Sequence, residues 1–516
     1  MFQQVKRRFL RFLLNGQRMN NTKIQQRQRS SILKNASFLF IAHVAGRILS
    51  FVLTIMLPRY LKGGFDDLGK YFFALWLTNL LSSVTELGLQ TPIIRDISAD
   101  KSKASLLISN AFVIRIILSI VNFIILATLV MLKYPGEVGI LIYIIGLSEI
   151  INAIAQLFRC MFRAYEDMGY EALGVIVERF VVFLIGIATV ILGYGIVAFG
   201  VVVLIASIVN LTLTFLIMVF KFSRIKLRLV NVKVCFDLLK KSLPYALGGL
   251  LYMAYFRVDG ILLKNIMGTS GDVAMGWYGT GYSFVNALTV IPGAFMGAVF
   301  PVMSRAFSSS VPSELDSLYT RSLKLMFMIG LPIAIGVAFL ADDIVMMLYP
   351  PSRFGLADRE ALSIILKVLI WSGMLLFLNT VIITLYRATD ARKAFAIVTA
   401  ISLCINIVSN IILIPKYSYL GASISMIISE SLFFICGSLY IQKYISKIND
   451  FKALLKIFLA SVALVIVLIA FKNFMLINQY FHVTLTVIVG FFVYTAIIFG
   501  IRAVTSDDFV MVKKQI

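Results

Sequence analysis

Residues 252–264 read YMAYFRVDGILLK, which sets Arg257 and Asp259 inside a run that is apolar on both sides. The question is what environment holds the run. Of the 516 residues, 60% are hydrophobic and 14% charged, and the mean hydropathy is +0.94. Apolar runs of bilayer-spanning length recur from Ser37 almost to the C-terminus, which no water-soluble core requires. No long polar, Pro-rich or Gly/Ser-rich linker divides the chain. It reads as one all-α, polytopic membrane protein, and YMAYFRVDGILLK as a crossing with charges in it.

Windows of about 20 apolar residues predict fourteen transmembrane helices, at 35–57, 70–94, 105–132, 139–159, 173–193, 196–220, 242–265, 277–301, 323–341, 361–386, 395–414, 421–442, 453–471 and 481–501. An even count puts both termini on one side, and the positive-inside rule says which. Lys6, Arg7, Arg8, Arg11, Arg18, Lys23, Arg27, Arg29 and Lys34 precede the first crossing, and Lys221, Arg224, Lys226, Arg228, Lys233, Lys240 and Lys241 follow the sixth. The other face holds Asp66, Asp67, Glu137, Asp272, Asp342, Asp343, Asp358 and Glu360. Both termini are therefore expected in the cytoplasm, with the protein in the cell membrane.

The net charge of +23 is mostly this topology. The basic loops lack interleaved aromatics or a nucleic-acid-binding pattern, so the expected contacts are membrane lipid headgroups and no nucleic acid. KRRFLRFLLNGQRM near the N-terminus is too short in its apolar run for a signal peptide and reads as an interfacial basic segment. Cys160, Cys235, Cys404 and Cys436 lack metal-ligand spacing, and His43 and His482 are the only histidines, so neither a metal nor a Ser/His/Asp centre is expected. Phe65-Asp66-Asp67 admits a membrane glycosyltransferase that uses a polyprenyl-linked donor. The outer loops, of two to about twenty residues, are short for holding an acceptor.

A charge at mid-membrane costs roughly 2.5–3.5 kcal/mol on insertion scales, so such residues face protein or water. Glu178, Arg179 and Lys367 fall near the ends of their windows, where snorkelling suffices. Arg47 and Arg257 fall midway, and an internal repeat joins them. From each arginine the chain runs through a short outer loop to Gly-x-Tyr (Gly69/Tyr71; Gly276/Tyr278) and another crossing, then to Pro and Arg at its end (Pro92/Arg95; Pro301/Arg305). Two six-helix bundles in parallel orientation follow, 35–220 and 242–442, with Arg47 and Arg257 facing across a central cleft. Residues 1–34 form a basic segment, 221–241 a basic linker, and 443–516 two added helices and a short tail.

The stretches LPYALGGLLYMAYFRVDGILLKNIMG and GWYGTGYSFVNALTVIPGAFMGAVFPVMSRAF resemble the seventh and eighth crossings of polysaccharide flippases, in the multidrug/oligosaccharidyl-lipid/polysaccharide exporter superfamily. LGKYFFALWLTNLLSSVTELGLQTPIIRDIS, FRAYEDMGYEALG and LYRATDARKAFAIVTAISLCINIVSNIILIPKYSYLGASISMIISE agree in order, so the resemblance spans most of 35–442. It implies a V-shaped, non-enzymatic transporter that flips a polyprenyl-diphosphate-linked oligosaccharide by alternating access, with a polysaccharide polymerase or glycosyltransferases as further partners. A cation-coupled drug exporter of the same superfamily and a scaffold for glycosyltransferases are the rivals.

On this resemblance Arg47 and Arg257 are the expected diphosphate ligands, because a guanidinium bonds two oxygens at once and stays charged. Arg115 is a third. His43, one turn before Arg47, either lines the cleft or packs in the wall. Asn379, Asn406 and Asn410 either meet sugar hydroxyls or bond between helices. Asp259 points about 200° away from Arg257 on a helix. It either coordinates a coupling Na+ or H+ or is the buried partner of another helix; no other cofactor is expected. Pro244, Gly248, Gly249, Pro292, Gly293 and Pro332 mark places where helices bend.

Overall fold

A computed structural model of the protein describes residues 38–309, 312–447, 451–474 and 479–501. The expected basic segment 1–34 and the tail beyond 501 lie outside them. Every regular element among the described residues is a helix. In chain order these are α1 Phe38–Tyr60, α2 Phe65–Glu86, α3 Gln90–Ala99, α4 Ala104–Lys133, α5 Glu137–Ala164, α6 Gly169–Ile191, α7 Gly195–Lys221 and α8 Val232–Met267. There follow α9 Gly271–Leu288, α10 Val290–Ser308, α11 Pro312–Phe339, α12 Ala341–Leu348, α13 Leu356–Ala388, α14 Arg392–Tyr444, α15 Phe451–Phe474 and α16 Gln479–Gly500.

Eleven helical stretches are long and apolar enough to cross a membrane, or twelve with the bent pair α2/α3. The expected fourteen is not confirmed by that criterion. Two of the stretches, of 77 and 53 residues, exceed the roughly 20 that one crossing takes. The first is interrupted at Gly268 (φ 61°) and the second at Ser418 (φ 50°), three residues after Pro415. Side chains such as Ile117, Ile124, Leu184, Ile412 and Phe491 stand exposed on the outside, an apolar belt that suits hydrocarbon rather than water.

The bends differ from expectation. The expected crossing 70–94 bends by 41° between α2 and α3, where Pro92 cannot donate to the Gly88 carbonyl. Leu87 (φ 39°) and Gly88 (φ 64°) turn the chain, and a Cβ on Gly88 would come 2.7 Å from the amide nitrogen of Ala246 on α8. Glycine is needed there for both reasons. Pro244 and Pro332 sit inside α8 and α11 without interrupting them, whereas α9 gives way to α10 at Thr289, where Pro292 cannot donate to the carbonyl of residue 288. The helix expected from 242 begins at Val232 instead. The Asn231 side chain caps it by accepting from the Lys233 amide at 2.9 Å, and buried Leu238 anchors its first turns.

Helices α2, α4, α5, α6 and α7 pack among themselves, as do α8, α9, α10, α11, α13 and α14; α15 and α16 pair and lie on α11. These first two sets are called halves below. They meet where α2 crosses α8 and α9. At that crossing the two glycines of the repeat approach the opposite backbone. A Cβ on Gly69 would come 1.7 Å from the Asp272 carbonyl oxygen, and one on Gly276 2.0 Å from that of Phe65. The Phe65 ring is clasped by Tyr349 and Phe354, with ring centroids 5.4 and 5.6 Å away, and Arg59 donates to the Leu348 carbonyl. This is the acidic end of the molecule, closed by backbone contact.

Candidate substrate cleft between the halves

Four charged residues share one depth. Arg47 and Arg257 stand 13 and 10 residues before the ends of α1 and α8 at Tyr60 and Met267. Glu149 and Arg179 each stand 12 residues from the acidic ends of α5 and α6, Glu137 and Ile191. At 1.5 Å per residue all four lie roughly 15–20 Å from the acidic end, near the middle of a bilayer core of about 30 Å.

Arg47 of α1 reaches the second half, and Arg257 of α8 reaches the first. Arg47 is exposed, and its Nη1 donates to Thr289 Oγ1 at the α9/α10 junction, 2.6 Å away. Arg257 is half-buried, with its guanidinium over the Trp76 ring of α2 at 5.3 Å from the centroid and its buried Nε without an acceptor. Tyr282 lies within electrostatic range of both arginines. A hydroxyl and an indole face leave most guanidinium donors of this pair without a protein acceptor among the described residues, so they are available to an anion. His43 is exposed one turn before Arg47.

The structure does not bring Arg115 and Asn379 to these arginines. Arg115 is wholly buried behind α2, where its Nη1 donates to the Thr85 carbonyl at 2.9 Å. Asn379 is buried in the second half and donates to Glu430 Oε2 at 2.5 Å and to the Glu430 carbonyl at 3.0 Å. Asp259 lies in the same interior, apart from Arg257, as its helical position requires. Asn410 Nδ2 donates to its Oδ1 at 2.6 Å and the Tyr278 hydroxyl to its Oδ2 at 3.3 Å, while Asn406 donates to Ser429 Oγ at 3.0 Å. No lysine or arginine comes within 4.0 Å of Asp259 or Glu430 among the described residues. The Oδ1 atoms of Asn379 and Asn410 and Oε1 of Glu430 are buried without donors. The buried Tyr255 hydroxyl beside Glu430 likewise lacks a partner.

The first half carries a counterpart. Glu178 on α6 accepts from Asn152 of α5 at 3.1 Å and Asn210 of α7 at 2.8 Å, with Arg159 Nη2 at 3.9 Å. Glu171 takes two bonds from Arg163, of 2.8 and 2.5 Å. Sequence reasoning placed Glu178 and Arg179 near a membrane surface because the apolar window opens at 173. The helix opens four residues earlier, through Gly169-Tyr170-Glu171-Ala172, and that shift carries both to mid-depth. The side chain of Arg179 lies against Gly46 of α1, its Cγ 3.1 Å from where a Cβ would stand. Trp76, the platform for Arg257, carried no signal of its own in an aromatic-rich helix.

Residues 32–307 match the family described as "Polysaccharide biosynthesis protein", and 244–412 match MatE. The "Probable low-salt glycan biosynthesis flippase Agl15" of Haloferax volcanii is 22% identical over 463 residues, 89% of this chain and 94% of that protein. The "Probable flippase AglR" of the same organism is 24% identical over 244 residues, 47% of this chain and 50% of its own. Among solved structures, the lipid II flippase MurJ in an inward closed conformation superposes with a TM-score of 0.72 at 17% identity, over 89% of this chain and 97% of that one. An inward-facing multidrug resistance MATE transporter follows at 0.62 and 16%, over 78% and 95%. The likeness to the solved structures is one of fold, and the family match covers more than half of the residues: the chain belongs to the polysaccharide biosynthesis protein family.

Proposed function

We propose that this protein is a flippase that carries a polyprenyl-diphosphate-linked glycan from the cytoplasmic to the outer leaflet for cell-surface polysaccharide assembly. The observation that carries the reading is the pair Arg47 and Arg257, at one mid-membrane level, Arg47 reaching the second half and Arg257 the first, each with donors to spare. A diphosphate offers the acceptors they lack, and its two charges are what hydrocarbon alone would refuse. The lipid tail need not leave the bilayer. An apolar groove of about 470 Å³ between α11, α15 and α16, lined by Ile329, Ile333, Leu464, Leu468, Phe491 and Phe499, suits a stretch of polyprenyl chain. The flippase names of the Haloferax volcanii relatives support the same reading over drug export.

The basic end, which carries Lys221, Arg224, Lys226 and Lys241, is assigned to the cytoplasm of a cell membrane, with both termini there. The bundles 35–220 and 242–442 are assigned as the parts that move. His43 lines the cleft beside Arg47, while Arg115 and Asn379 brace its walls from behind. The pocket of Asp259, Asn410, Asn379 and Glu430 is assigned to the coupling ion, Na+ or H+, because either supplies the positive charge that its two carboxylates lack. The chemistry is transport, without a bond made or broken.

The test is flipping of a fluorescent polyprenyl-diphosphate oligosaccharide in proteoliposomes by wild type, Arg47→Ala, Arg257→Ala and Arg257→Lys. Both alanine variants are expected to abolish protein-dependent flipping, and lysine to restore it in part, since it lacks the planar fork. A wild type that moves organic cations and leaves the lipid where it is would replace this reading with drug export.

A further inference from the structure

Arg47 and Arg257 are not the only charges at their level. Arg179 lies along Gly46 of α1 and is exposed; among the described residues it has no ion-pair or hydrogen-bond partner. Glu149 of α5 is half-buried opposite, held by Asn79 of α2, which stands one turn beyond Trp76 on the same face. Through Trp76 and Asn79 one face of α2 therefore presents Arg257 and Glu149 to each other. Glu149 lies within electrostatic range of Arg179 from the first half and Arg257 from the second, and within ion-pair distance of neither. Glu178 adds a further negative charge nearby, but Arg159, Asn152 and Asn210 already engage it.

We propose that Glu149 is the resident counter-anion of the empty cleft, shared by Arg179 and Arg257, and that the substrate's diphosphate takes its place with Arg179 as a third phosphate ligand. The proposal rests on the flippase reading and deepens it. Two arginines at mid-membrane with neither anion nor water would be costly, and a carboxylate between them lowers that cost while the site is empty. A carboxylate bonded tightly to one of them would compete too well with the substrate. Held by an amide instead, it stabilises both without saturating their donors. With diphosphate bound, Glu149 repels the new anion across a short, poorly screened gap, which limits affinity and favours release on the far side. Affinity is thereby exchanged for turnover.

The experiment measures binding of undecaprenyl diphosphate, and of inorganic pyrophosphate as a headgroup-only probe, to detergent-purified wild type, Glu149→Gln, Arg179→Gln and the double variant. Flipping is followed in parallel. Glu149→Gln is expected to bind both probes about tenfold tighter, as removal of one nearby like charge should do, and to flip more slowly per bound lipid. Arg179→Gln is expected to bind about tenfold weaker, and the double variant to return close to wild type. Unchanged or weakened binding in Glu149→Gln, with wild type binding intact, overturns the inference and leaves the flippase reading standing. A wild type that binds neither probe overturns both. Should Glu149→Gln fail to fold, Arg179→Gln decides alone, because unchanged diphosphate affinity there removes the third ligand and with it the exchange.

Discussion

The two halves keep one scaffold and differ in how they treat a buried negative charge. In the first, Glu171 takes two bonds from Arg163, and Glu178 sits between two asparagines with Arg159 at 3.9 Å. In the second, Asp259 and Glu430 are bonded by amides and a hydroxyl alone. Each half uses an asparagine of a corresponding helix on its carboxylate, Asn152 on Glu178 and Asn379 on Glu430. The carboxylate–amide nest is thus common to both, and only the first has its own guanidinium. A nest with a built-in cation is a strut. A nest without one holds a buried negative charge that a proton or a metal ion from outside would neutralise. The repeat supplies the geometry, and the placement of arginines divides the labour.

The largest expected effect tests what the halves share. A Cβ at Gly69 or Gly276 would meet opposite backbone at 1.7 or 2.0 Å, and backbone in a packed helix crossing cannot swing aside as a side chain does. Gly69→Val and Gly276→Val should each disfavour closure of the acidic end by about 3 kcal/mol or more, at the upper end of overpacking costs, and flipping should fall more than about a hundredfold. Distances between spin labels across that end, with flipping measured alongside, check this. If one valine stops transport and the other leaves it untouched, the crossing is not the symmetric gate described.

The second effect separates strut from site. Glu178→Ala leaves Arg159 uncompensated in a dry interior, so the unfolding midpoint in detergent should drop as expected for a loss of about 3–5 kcal/mol. Asp259→Asn keeps the shape and offers the pocket one more amide, so its loss should be smaller, about 1–2 kcal/mol. Where Na+ is the coupling ion, wild type and Glu178→Ala should both melt higher in NaCl than in choline chloride at fixed pH, by up to about 2.7 kcal/mol at a hundred times Kd. Asp259→Asn should not. A sodium increment in Asp259→Asn equal to that of wild type would sink the assignment of the pocket.

The frame of this contrast could be read from the residues before any coordinates, and the contrast itself could not. Mid-helix depth singled out Arg47 and Arg257, helical rotation separated Asp259 from Arg257, and the Gly-x-Tyr repeat pointed to the positions that turn out to cross. What hydropathy could not supply was the true start of a helix. An apolar window discards polar first turns that are still helical, and so it moved Arg179 and Glu178 toward a surface and shortened α8 by ten residues. The bends were also hidden. Proline is a visible breaker, yet Pro244 and Pro332 leave their helices whole, while α2 turns at Leu87-Gly88, four residues before Pro92, where Gly88 also lies against α8. Which polar groups share a pocket depends on helix rotation and register, and Asn379 could not be paired with Glu430, 51 residues away, from spacing alone.

The smallest expected effect lies at the basic end, where an exposed ion pair adds to the contact of Gly88 and the apolar side chains of α3 with α8. Lys241 of α8 donates to Asp96 of α3 at 3.1 Å, with side chains 51% and 21% exposed. Such a pair contributes about 0–1 kcal/mol, far less than the glycine crossing at the other end. The disparity has a use. An alternating-access protein that receives substrate at the basic end needs that end to open on thermal energy alone, while the acidic end stays shut until the site is filled. Lys241→Ala should therefore change flipping by less than about fivefold, and by faster opening rather than by lost affinity. Salt offers the same perturbation without a mutation, because at about 1 M the screening length falls to roughly 3 Å. Wild type should approach the variant as ionic strength rises, and the variant should hardly respond. A variant that loses all transport at every salt concentration would make Lys241–Asp96 a strut, and the basic end as rigid as the acidic one.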